Sequence, residues 1–423
     1  MASVLVLALM PFPMVLWATW QMRIGYDYET VVFPVDLAFA LLVAGAAAVV
    51  GRSLMRRDGP AATRVLAILT ALLTVAWTFH PSGRGAHLVL EMAGAVCLAT
   101  VIWEHWRGPA GRMLAGLVVI IAVTETAWSG LQLLVGHALG LERLGEHGDP
   151  FLMVGAGRAP SGSLVHCYLL AALALIGSGT AVAVALVDAH PRLWLTGAAL
   201  AILPVAWTYS RAALAGLVLM LACLAIGALR PSPARGRYRA ALLTVAVAAG
   251  LAGAVCAPGW LNRASTTVHA GSVAALSTDR TWLDHEAEVL IGEHPVTGVG
   301  PARYLTALRA HYGVEPNPQV GIFKSVHDLP LLAAAEGGLA AGAAMVALLL
   351  VLAWRSARAG PMALGVYVAF LPYTLLDHIA WSYPQGIVLT GIWVGVLDAL
   401  ARRQPSPDQE TSPTVSGTSP APA

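Results

Sequence analysis

The sequence predicts an all-α polytopic membrane protein. Of its 423 residues, 57% are hydrophobic and only 11% are charged, and the mean hydropathy is +0.71. A soluble domain of this length cannot hide so much apolar surface from water. Apolar runs of about 17 to 25 residues recur between short polar breaks, and a helix of that length crosses about 30 Å of hydrocarbon. We therefore predict about twelve transmembrane helices.

The predicted spans form two blocks separated by one long loop. The first apolar run lacks a basic start and a small-residue cleavage site, so we expect it to remain as a span. Spans 1 to 9 occupy residues 1–258, a loop with short helices occupies 259–328, and spans 10 to 12 occupy 329–403. Residues 404–423 are rich in Pro, Ser and Thr, which predicts a disordered cytoplasmic tail. The predicted spans begin near residues 2, 35, 64, 87, 113, 163, 193, 211, 240, 329, 362 and 385.

The distribution of arginine predicts the orientation in the membrane, because short cytoplasmic loops retain Lys and Arg. One alternating set of loops carries fifteen arginines and the other short loops carry five. The first set is therefore predicted to be cytoplasmic, with both termini, and the long loop to be periplasmic. The fifteen are Arg52, Arg56, Arg57, Arg64, Arg107, Arg112, Arg192, Arg230, Arg235, Arg237, Arg239, Arg355, Arg358, Arg402 and Arg403.

Two short helices are predicted inside the long loop. The segment DRTWLDHEAEVLIGEHP has apolar residues at helical spacing, with Arg280 and Asp284 one turn apart. After a Gly- and Pro-rich turn region, YLTALRAHYG indicates a second helix that ends at Gly313. The first helix fits a position on the membrane surface.

Several acidic side chains fall inside predicted spans, where a charge is costly and is a functional candidate by default. Glu125 and Gln132 are seven residues apart and share a helix face. Glu91 lies one turn from His87, and Glu336 lies about two turns below His327 in the tenth span. For Glu91 and Glu125, structural pairing inside the bundle and a direct role both remain open.

Basic residues collect on the predicted outer side, against the usual charge bias. Arg211 stands between two spans in WTYSRAALAGL, and its planar guanidinium matches phosphate oxygens two at a time. A cationic funnel that faces the periplasm suits an anionic group such as a lipid pyrophosphate. The funnel is formed by Arg158, Arg211, Arg280, Arg303, Arg309 and Lys324.

His327 stands beside this funnel at the start of the tenth span. Imidazole accepts a proton from a hydroxyl near pH 7, and the adjacent Asp328 is placed to orient the ring or raise its basicity. The four cysteines fall inside predicted spans, which indicates neither a disulfide framework nor a metal site. No Asp-x-Asp motif occurs, so we expect no metal and no cofactor.

Four segments resemble the O-antigen ligase and polymerase superfamily. EHPVTGVGPARYLTAL followed by SVHDLPLLAAAEGGLAA is similar to the family's HPxxGxG motif, periplasmic helix and His-led span with Glu-x-Gly. WTYSRAALAGL resembles its Ser-Arg motif, and GRAPSGSLVHCYLLA is similar to its Arg and Gly-Ser/Thr stretch. LLDHIAWSYPQGIVLTGIW resembles the closing spans of some members. The resemblance covers about residues 150–400.

The resemblance implies a metal-independent glycosyltransferase of the bacterial inner membrane. Its donor is a glycan on an undecaprenyl-pyrophosphate carrier, and its acceptor is a sugar hydroxyl on lipid A core or on a carrier-linked glycan. By position, Arg211 and Arg280 hold the pyrophosphate and His327 activates the acceptor. The chain departs from the family pattern where Asp328 replaces Asn and where Cys167 and Tyr168 replace Pro-Asn. Supporting roles fall to Arg158, His166, Arg303, Asp328 and Glu336.

Two other functions remain open at this point. A polysaccharide polymerase of the same fold is barely separated from a ligase by the sequence. A proton-coupled transporter or flippase would use Glu125 and Glu336 as relay groups, but it would leave the outer arginines unexplained. Either enzyme works with lipid-linked glycan and membrane lipid, and no partner among nucleic acids is expected.

Overall fold

The protein is an all-α polytopic membrane protein, with helices packed side by side. The computed structural model describes residues 3–4, 17–18, 31–32, 34–141, 146, 151–154, 157–269, 280–313 and 325–402. The helices are α1 (Pro34–Met55), α2 (Ala61–Phe79), α3 (Gly83–His105), α4 (Pro109–Val135), α5 (Cys167–Ala185), α6 (Pro191–Ile202), α7 (Pro204–Trp207), α8 (Arg211–Leu229), α9 (Arg235–His269), α10 (Arg280–Glu293), α11 (Tyr304–Tyr312), α12 (Leu329–Ala359), α13 (Pro361–Leu376), α14 (Ile379–Ser382) and α15 (Pro384–Leu400).

Among the described residues, eight helices are long and apolar enough to cross a membrane, and three shorter apolar segments accompany them. The short segments are α6 with α7, α13, and α15. Every described span begins within five residues of its predicted start. The first predicted span and the tail at 404–423 lie outside the described residues, apart from Ser3, Val4, Trp17 and Ala18. The helix of the ninth span continues to His269, past the boundary predicted at residue 258.

The centre of the bundle is α5, in which every residue except Tyr168 is buried. The outermost long helix is α9, which exposes Leu243, Val247, Leu251 and Val255 at four-residue spacing. A stripe of this kind faces lipid in a membrane protein. Trp260, near the end of α9, donates from Nε1 to the carbonyl of Ala206 at 2.8 Å, which joins α9 to α7.

Short antiparallel strands were not predicted from the sequence. Strands β1 (Trp17–Ala18) and β2 (Val31–Val32) form one pair, and β3 (Phe151–Val154) and β4 (Gly157–Pro160) form another. The second pair leads into the turn before α5. It brings the segment that contains Arg158 and His166 to the end of the bundle where α5, α8, α12 and α15 begin, which we call the site end.

The opposite end of the bundle, called the arginine-rich end, is joined by a buried acid. Asp398 of α15 accepts hydrogen bonds from the backbone N–H of Thr63 at 2.8 Å and of Ala62 at 3.2 Å. It also pairs with Arg355 of α12 at 3.2 Å. A carboxylate suits a helix N-terminus, where backbone N–H groups lack partners. Asp398 thereby ties α2, α12 and α15 together.

Both predicted loop helices are present, as α10 and α11. The C-cap of α11 is Gly313, whose φ of +61° is the left-handed conformation that glycine adopts readily. Residues 294–303 connect the two helices, and we call this segment the strap. It contains the Gly- and Pro-rich turn region that the sequence indicated.

The strap fills a break in α12 at Gly338, where φ is +79° and ψ is 173°. The broken helix leaves carbonyls without helical partners, and strap amides bind them: Val299 N–H donates to Ala335 at 2.8 Å and Gly300 N–H to Glu336 at 3.0 Å. Leu339 N–H returns a bond to the Pro295 carbonyl at 2.9 Å. Backbone exchange of this kind satisfies groups that lipid could not.

Candidate functional site

Three histidines meet at the site end, and we call them the histidine cluster. His166 precedes α5, His327 lies two residues before α12, and His378 precedes α14. The rings of His327 and His378 are 5.0 Å apart, edge to face. The ring of Tyr383 lies 6.2 Å from that of His378 and 6.5 Å from that of His166. Four separate connections of the bundle therefore contribute to one group of rings.

Hydrogen bonds define which ring nitrogen carries the proton on two of these histidines. His327 Nδ1 lies 2.9 Å from the Ser325 carbonyl, which only accepts, so Nδ1 carries the hydrogen. In the neutral ring, the lone pair that can accept a proton then belongs to Nε2 of His327. His166 Nδ1 instead accepts the N–H of Tyr168 at 3.1 Å, so its neutral ring is protonated at Nε2. The cluster thus contains one ring arranged as a base and one arranged as a donor.

The other two histidines are held neutral beside His327. Both lie in connections outside the spanning helices. Burial, followed by the charge of His327, lowers the pKa of His166 to about 4 and that of His378 to about 3. His378 also bonds from Nδ1 to the hydroxyl of Ser382 at 2.9 Å. At neutral pH these rings therefore offer hydrogen bonds without adding charge.

Arginines form a second group next to the histidines, called the arginine cluster: Arg211, Arg263 and Arg280. The positive charges of Arg263 and Arg280 both act on the guanidinium of Arg211. Arg280 is further held by a bond from Nη2 to the carbonyl of Leu376, at 2.7 Å. Three like charges in a partly buried space repel one another, so a multivalent anion would stabilise them.

The Ser-Arg motif has a structural basis at the start of α8. Ser210 is the N-cap, and its hydroxyl accepts the N–H of Ala213 at 3.2 Å and bonds to the hydroxyl of Tyr373 at 3.1 Å. A serine N-cap satisfies one of the free amides of the first turn. Capping by Ser210 makes Arg211 the first residue of α8 and places it at the site end.

Tyr168 joins the two clusters. Its ring packs 4.7 Å from that of His166, and its side chain also interacts with Arg263. Asp377, between α13 and α14, is buried and accepts the N–H of Ile379 at 3.2 Å, and the charge of Arg280 acts on it. Because the same side chains contact both groups, histidines and arginines form one continuous site.

Two buried polar residues of α4 hold the turn that precedes His166. Glu125 accepts the N–H of Ser163 at 2.9 Å and its hydroxyl at 2.7 Å. Gln132 exchanges two hydrogen bonds with the backbone of Gly162, each 2.9 Å. These bonds lie towards the C-terminal end of α4 and hold the turn that leads to His166. For Glu125 this is a structural pairing, one of the two roles that the sequence left open.

Glu336 serves the strap rather than the histidine cluster in its described bonds. Its carboxylate accepts from the N–H of Ala302 at 2.9 Å, from the N–H of Tyr304 at 3.4 Å and from the indole of Trp381 at 2.9 Å. Asp328 is the N-cap of α12 and accepts the N–H of Leu331 at 2.9 Å. The described bond that orients His327 comes from Ser325, whereas the sequence had suggested Asp328 for that part.

Two of the predicted supporting arginines have other neighbours. The guanidinium of Arg158 lies 4.3 Å from the centre of the Phe151 ring, within its own hairpin. Arg303 is the N-cap of α11, and its charge acts on His80. The described contacts of these two residues do not include the histidine cluster. Lys324 lies outside the described residues.

Arg263 and His378 were not selected from the sequence. Arg263 is one arginine near the start of a long loop, and only the continuation of α9 brings it to Arg211. His378 belongs to the quoted LLDHIAWSYPQG segment, where an Asp-His pair interrupts an apolar run. Charged or titratable residues between spans are a signal for such positions. Within the described ranges, no group of three His, Cys, Asp or Glu side chains is arranged to hold a metal ion.

Comparison with known proteins supports the resemblance found in the motifs. Residues 196–346 match the family model described as O-antigen ligase. The match contains the whole arginine cluster and His327, whereas His166 and His378 lie outside it. No curated protein matches the chain. The match spans less than half of the chain, and this part of the sequence is similar to the O-antigen ligase family.

Proposed function

We propose that the protein transfers a glycan from an undecaprenyl-pyrophosphate carrier to a sugar hydroxyl of an acceptor on the periplasmic face of the inner membrane. The observation that carries the proposal is the tautomer of His327, whose bond to Ser325 leaves Nε2 as a base within the same site as three arginines. A hydroxyl nucleophile needs a base, and a pyrophosphate leaving group needs positive charge.

In the proposed step, Nε2 of His327 takes the proton of the acceptor hydroxyl. The acceptor oxygen forms a bond to the anomeric carbon of the donor, and the bond from that carbon to the carrier phosphate breaks. The bonding electron pair goes to the phosphate oxygen, whose developing charge is stabilised by Arg211, Arg263 and Arg280. His327 then passes its proton to water or to the released pyrophosphate.

The orientation rests on the two ends of the bundle. The arginine-rich end carries Arg56, Arg107, Arg355 and Arg402, which suits the cytoplasmic side. The histidine and arginine clusters lie at the other end, so the active site faces the periplasm in this proposal. Both termini are then cytoplasmic.

Transfer to lipid A core is favoured slightly over polymerisation on a second carrier, and the same chemistry serves both. A transporter that uses Glu125 and Glu336 as relay groups has less support, because the described bonds of both carboxylates hold backbone turns in place. We further propose that catalysis needs no divalent metal, since the charge of the leaving group is met by guanidinium groups.

Reconstitution tests the proposal. Purified protein in detergent, given carrier-linked glycan with either lipid A core or a second carrier-linked glycan, should form a joined product and release the carrier pyrophosphate. Activity should persist in excess EDTA. Transport of intact glycan across sealed vesicles, without product in detergent, would refute the enzyme assignment, and loss of activity that magnesium or manganese restores would refute metal independence. Mass analysis of both glycolipids after gene deletion identifies the acceptor in the cell.

A further inference from the structure

A cavity of about 110 Å³ lies beside the histidine cluster and has no part in the step described above. One of its walls is the first two turns of α3. The opposite walls come from the start of α11, from α12 and from the α14 segment. The side chains that matter for its chemistry are Arg84, His87, Glu91, Leu305 and Trp381.

We infer that this cavity binds one sugar unit of the acceptor glycan, next to the unit that reacts at His327. The inference rests on the proposed function and adds to it the binding site of the acceptor. It is carried by the mixed polar and apolar lining of the cavity, by the polar face of α3 and by the walls that the cavity shares with the histidine cluster.

The polar face of α3 suits a sugar. Arg84, His87 and Glu91 are three and four residues apart, so they lie on one side of the helix, and all three line the cavity. Arginine only donates hydrogen bonds, a carboxylate only accepts, and imidazole does both. A sugar hydroxyl both donates and accepts, so neighbouring hydroxyls of one ring can use all three groups.

Apolar surface completes the recognition of a sugar ring. Leu88, Leu305 and the indole of Trp381 line the same cavity, and a pyranose presents C–H groups on its faces. Binding sites commonly combine such apolar walls with a few polar groups that fix orientation. A cavity of this volume also has room for several waters, which an incoming sugar ring would displace.

The carboxylate of Glu91 is costly to keep where it is. Glu91 is only 7% exposed, in a helix that spans the membrane. The other acid of the cavity, Glu336, is engaged by backbone amides and by Trp381. Arg84, His87 and Glu91 provide the polar wall of the cavity on the α3 side, and a ligand with several hydroxyl groups would suit such a wall.

The walls connect the cavity to the reacting groups. Ser325 and Ser382 line it, and these residues are also the partners of Nδ1 in His327 and in His378. A sugar in the cavity would thus lie next to the Nδ1 partners of both rings. The next sugar unit of the acceptor would then extend towards the histidine cluster. Acceptor binding at this position would select the glycan without contact to the pyrophosphate.

The experiment measures steady-state transfer for wild type, Glu91→Gln and His87→Asn, with the acceptor and the donor varied separately. Both acceptor sources are used: lipid A core extracted from the host strain lacking this gene, and carrier-linked glycan. We expect the KM for the effective acceptor to rise about 10-fold or more, as for a lost hydrogen bond to a charged group, with kcat and donor KM unchanged. The acceptor whose KM rises identifies the source.

Glu104→Gln is the matched control, since it makes the same change in α3 at the arginine-rich end, where Glu104 pairs with Arg56. Leu305→Trp is a second variant that fills the cavity without removing a polar group, and it should raise the acceptor KM in the same way. Unfolding temperatures are measured for each variant, and the comparison uses those that retain the wild-type value.

An unchanged acceptor KM in the folded variants, while wild type transfers glycan, would overturn the inference and leave the proposed function intact. A rise in donor KM alone would also overturn it, because the cavity would then belong to the donor. Absence of transfer by wild type with both acceptors would refute the proposed function itself and the inference with it.

Discussion

The indole of Trp381 donates a hydrogen bond to the carboxylate of Glu336 at 2.9 Å, deep in the bundle. The same carboxylate oxygen also accepts the N–H of Ala302 at 2.9 Å. An acid in a membrane span is often a relay group, but one whose oxygens are engaged by fixed donors serves packing. Glu336 joins α12 to the strap and to α14.

Replacement of Glu336 tests this structural role. Glu336→Ala leaves buried N–H donors without an acceptor, and we expect a loss of about 3 kcal/mol or more in the free energy of unfolding. Glu336→Gln retains one acceptor oxygen and should cost less. The measurement is denaturant unfolding in detergent together with transfer activity. If Glu336→Gln kept wild-type stability but lost transfer, Glu336 would act in the chemistry instead.

His327→Ala should separate donor binding from transfer. Loss of a general base typically lowers the rate about 100- to 10,000-fold, whereas the arginine cluster still binds the carrier pyrophosphate. Donor binding is measured by equilibrium dialysis with carrier-linked glycan, and transfer by product formation. His285→Ala, an exposed change on α10, is the control. Transfer at a near wild-type rate by His327→Ala would remove the base from the proposed mechanism.

The three members of the arginine cluster should behave alike. Alanine at Arg211, Arg263 or Arg280 removes a preorganised donor to the leaving group, which costs about 100-fold or more. Lysine keeps the charge but loses the fork of donors, so we expect partial activity. Arg192→Ala, at the arginine-rich end, is the control. An Arg263→Ala variant as active as this control would exclude Arg263 from the pyrophosphate site.

Topology is tested by labelling single cysteines. In a variant without the four native cysteines, His285→Cys at the site end should react with an impermeant maleimide in intact spheroplasts. Ser232→Cys, between α8 and α9, should react only after lysis. The reverse pattern would place the site in the cytoplasm and contradict a periplasmic transfer.

Gly338→Ala should destabilise the protein through the strap. A Cβ at Gly338 would collide with the carbonyl oxygen of Val296, and the φ of +79° is unfavourable for alanine. The left-handed backbone alone costs about 1–2 kcal/mol, and the collision adds to it. Gly292→Ala in α10 has open space around its Cβ and should gain about 0.5–1 kcal/mol. Equal unfolding temperatures for the two variants would contradict the fit of strap and helix.

The spans were predictable because a long apolar run indicates a helix that is surrounded by lipid. The described helices begin close to the predicted starts. Gly313 ended α11 as its position indicated. The break at Gly338 was not predicted, because two glycines in an apolar run are tolerated in a membrane helix. The described bonds that make the break favourable come from the distant strap, whose bonded residues lie 36 or more positions earlier in the chain than their partners.

The site was predictable where a charged residue interrupts an apolar pattern, as at Arg211 and His327. Arg263 lacks that contrast, and the positions of Arg263 and His378 in the site depend on helix packing. Arg158 and Arg303 share the outer side with the site, but their described neighbours are Phe151 and His80, so their supporting roles stay predictions. Sequence assigns a residue to an end of the bundle, whereas the neighbours of its side chain follow from the tertiary contacts.

The break in α12 has a consequence for assembly during synthesis. The strap leaves the ribosome before α12. Its N–H groups therefore have no α12 carbonyls to bind until that helix has been synthesised. When α12 enters the bilayer, the carbonyls of Ala335 and Glu336 would face hydrocarbon without donors unless the strap is already close by. Insertion of α12 and docking of the strap should therefore occur as a single event.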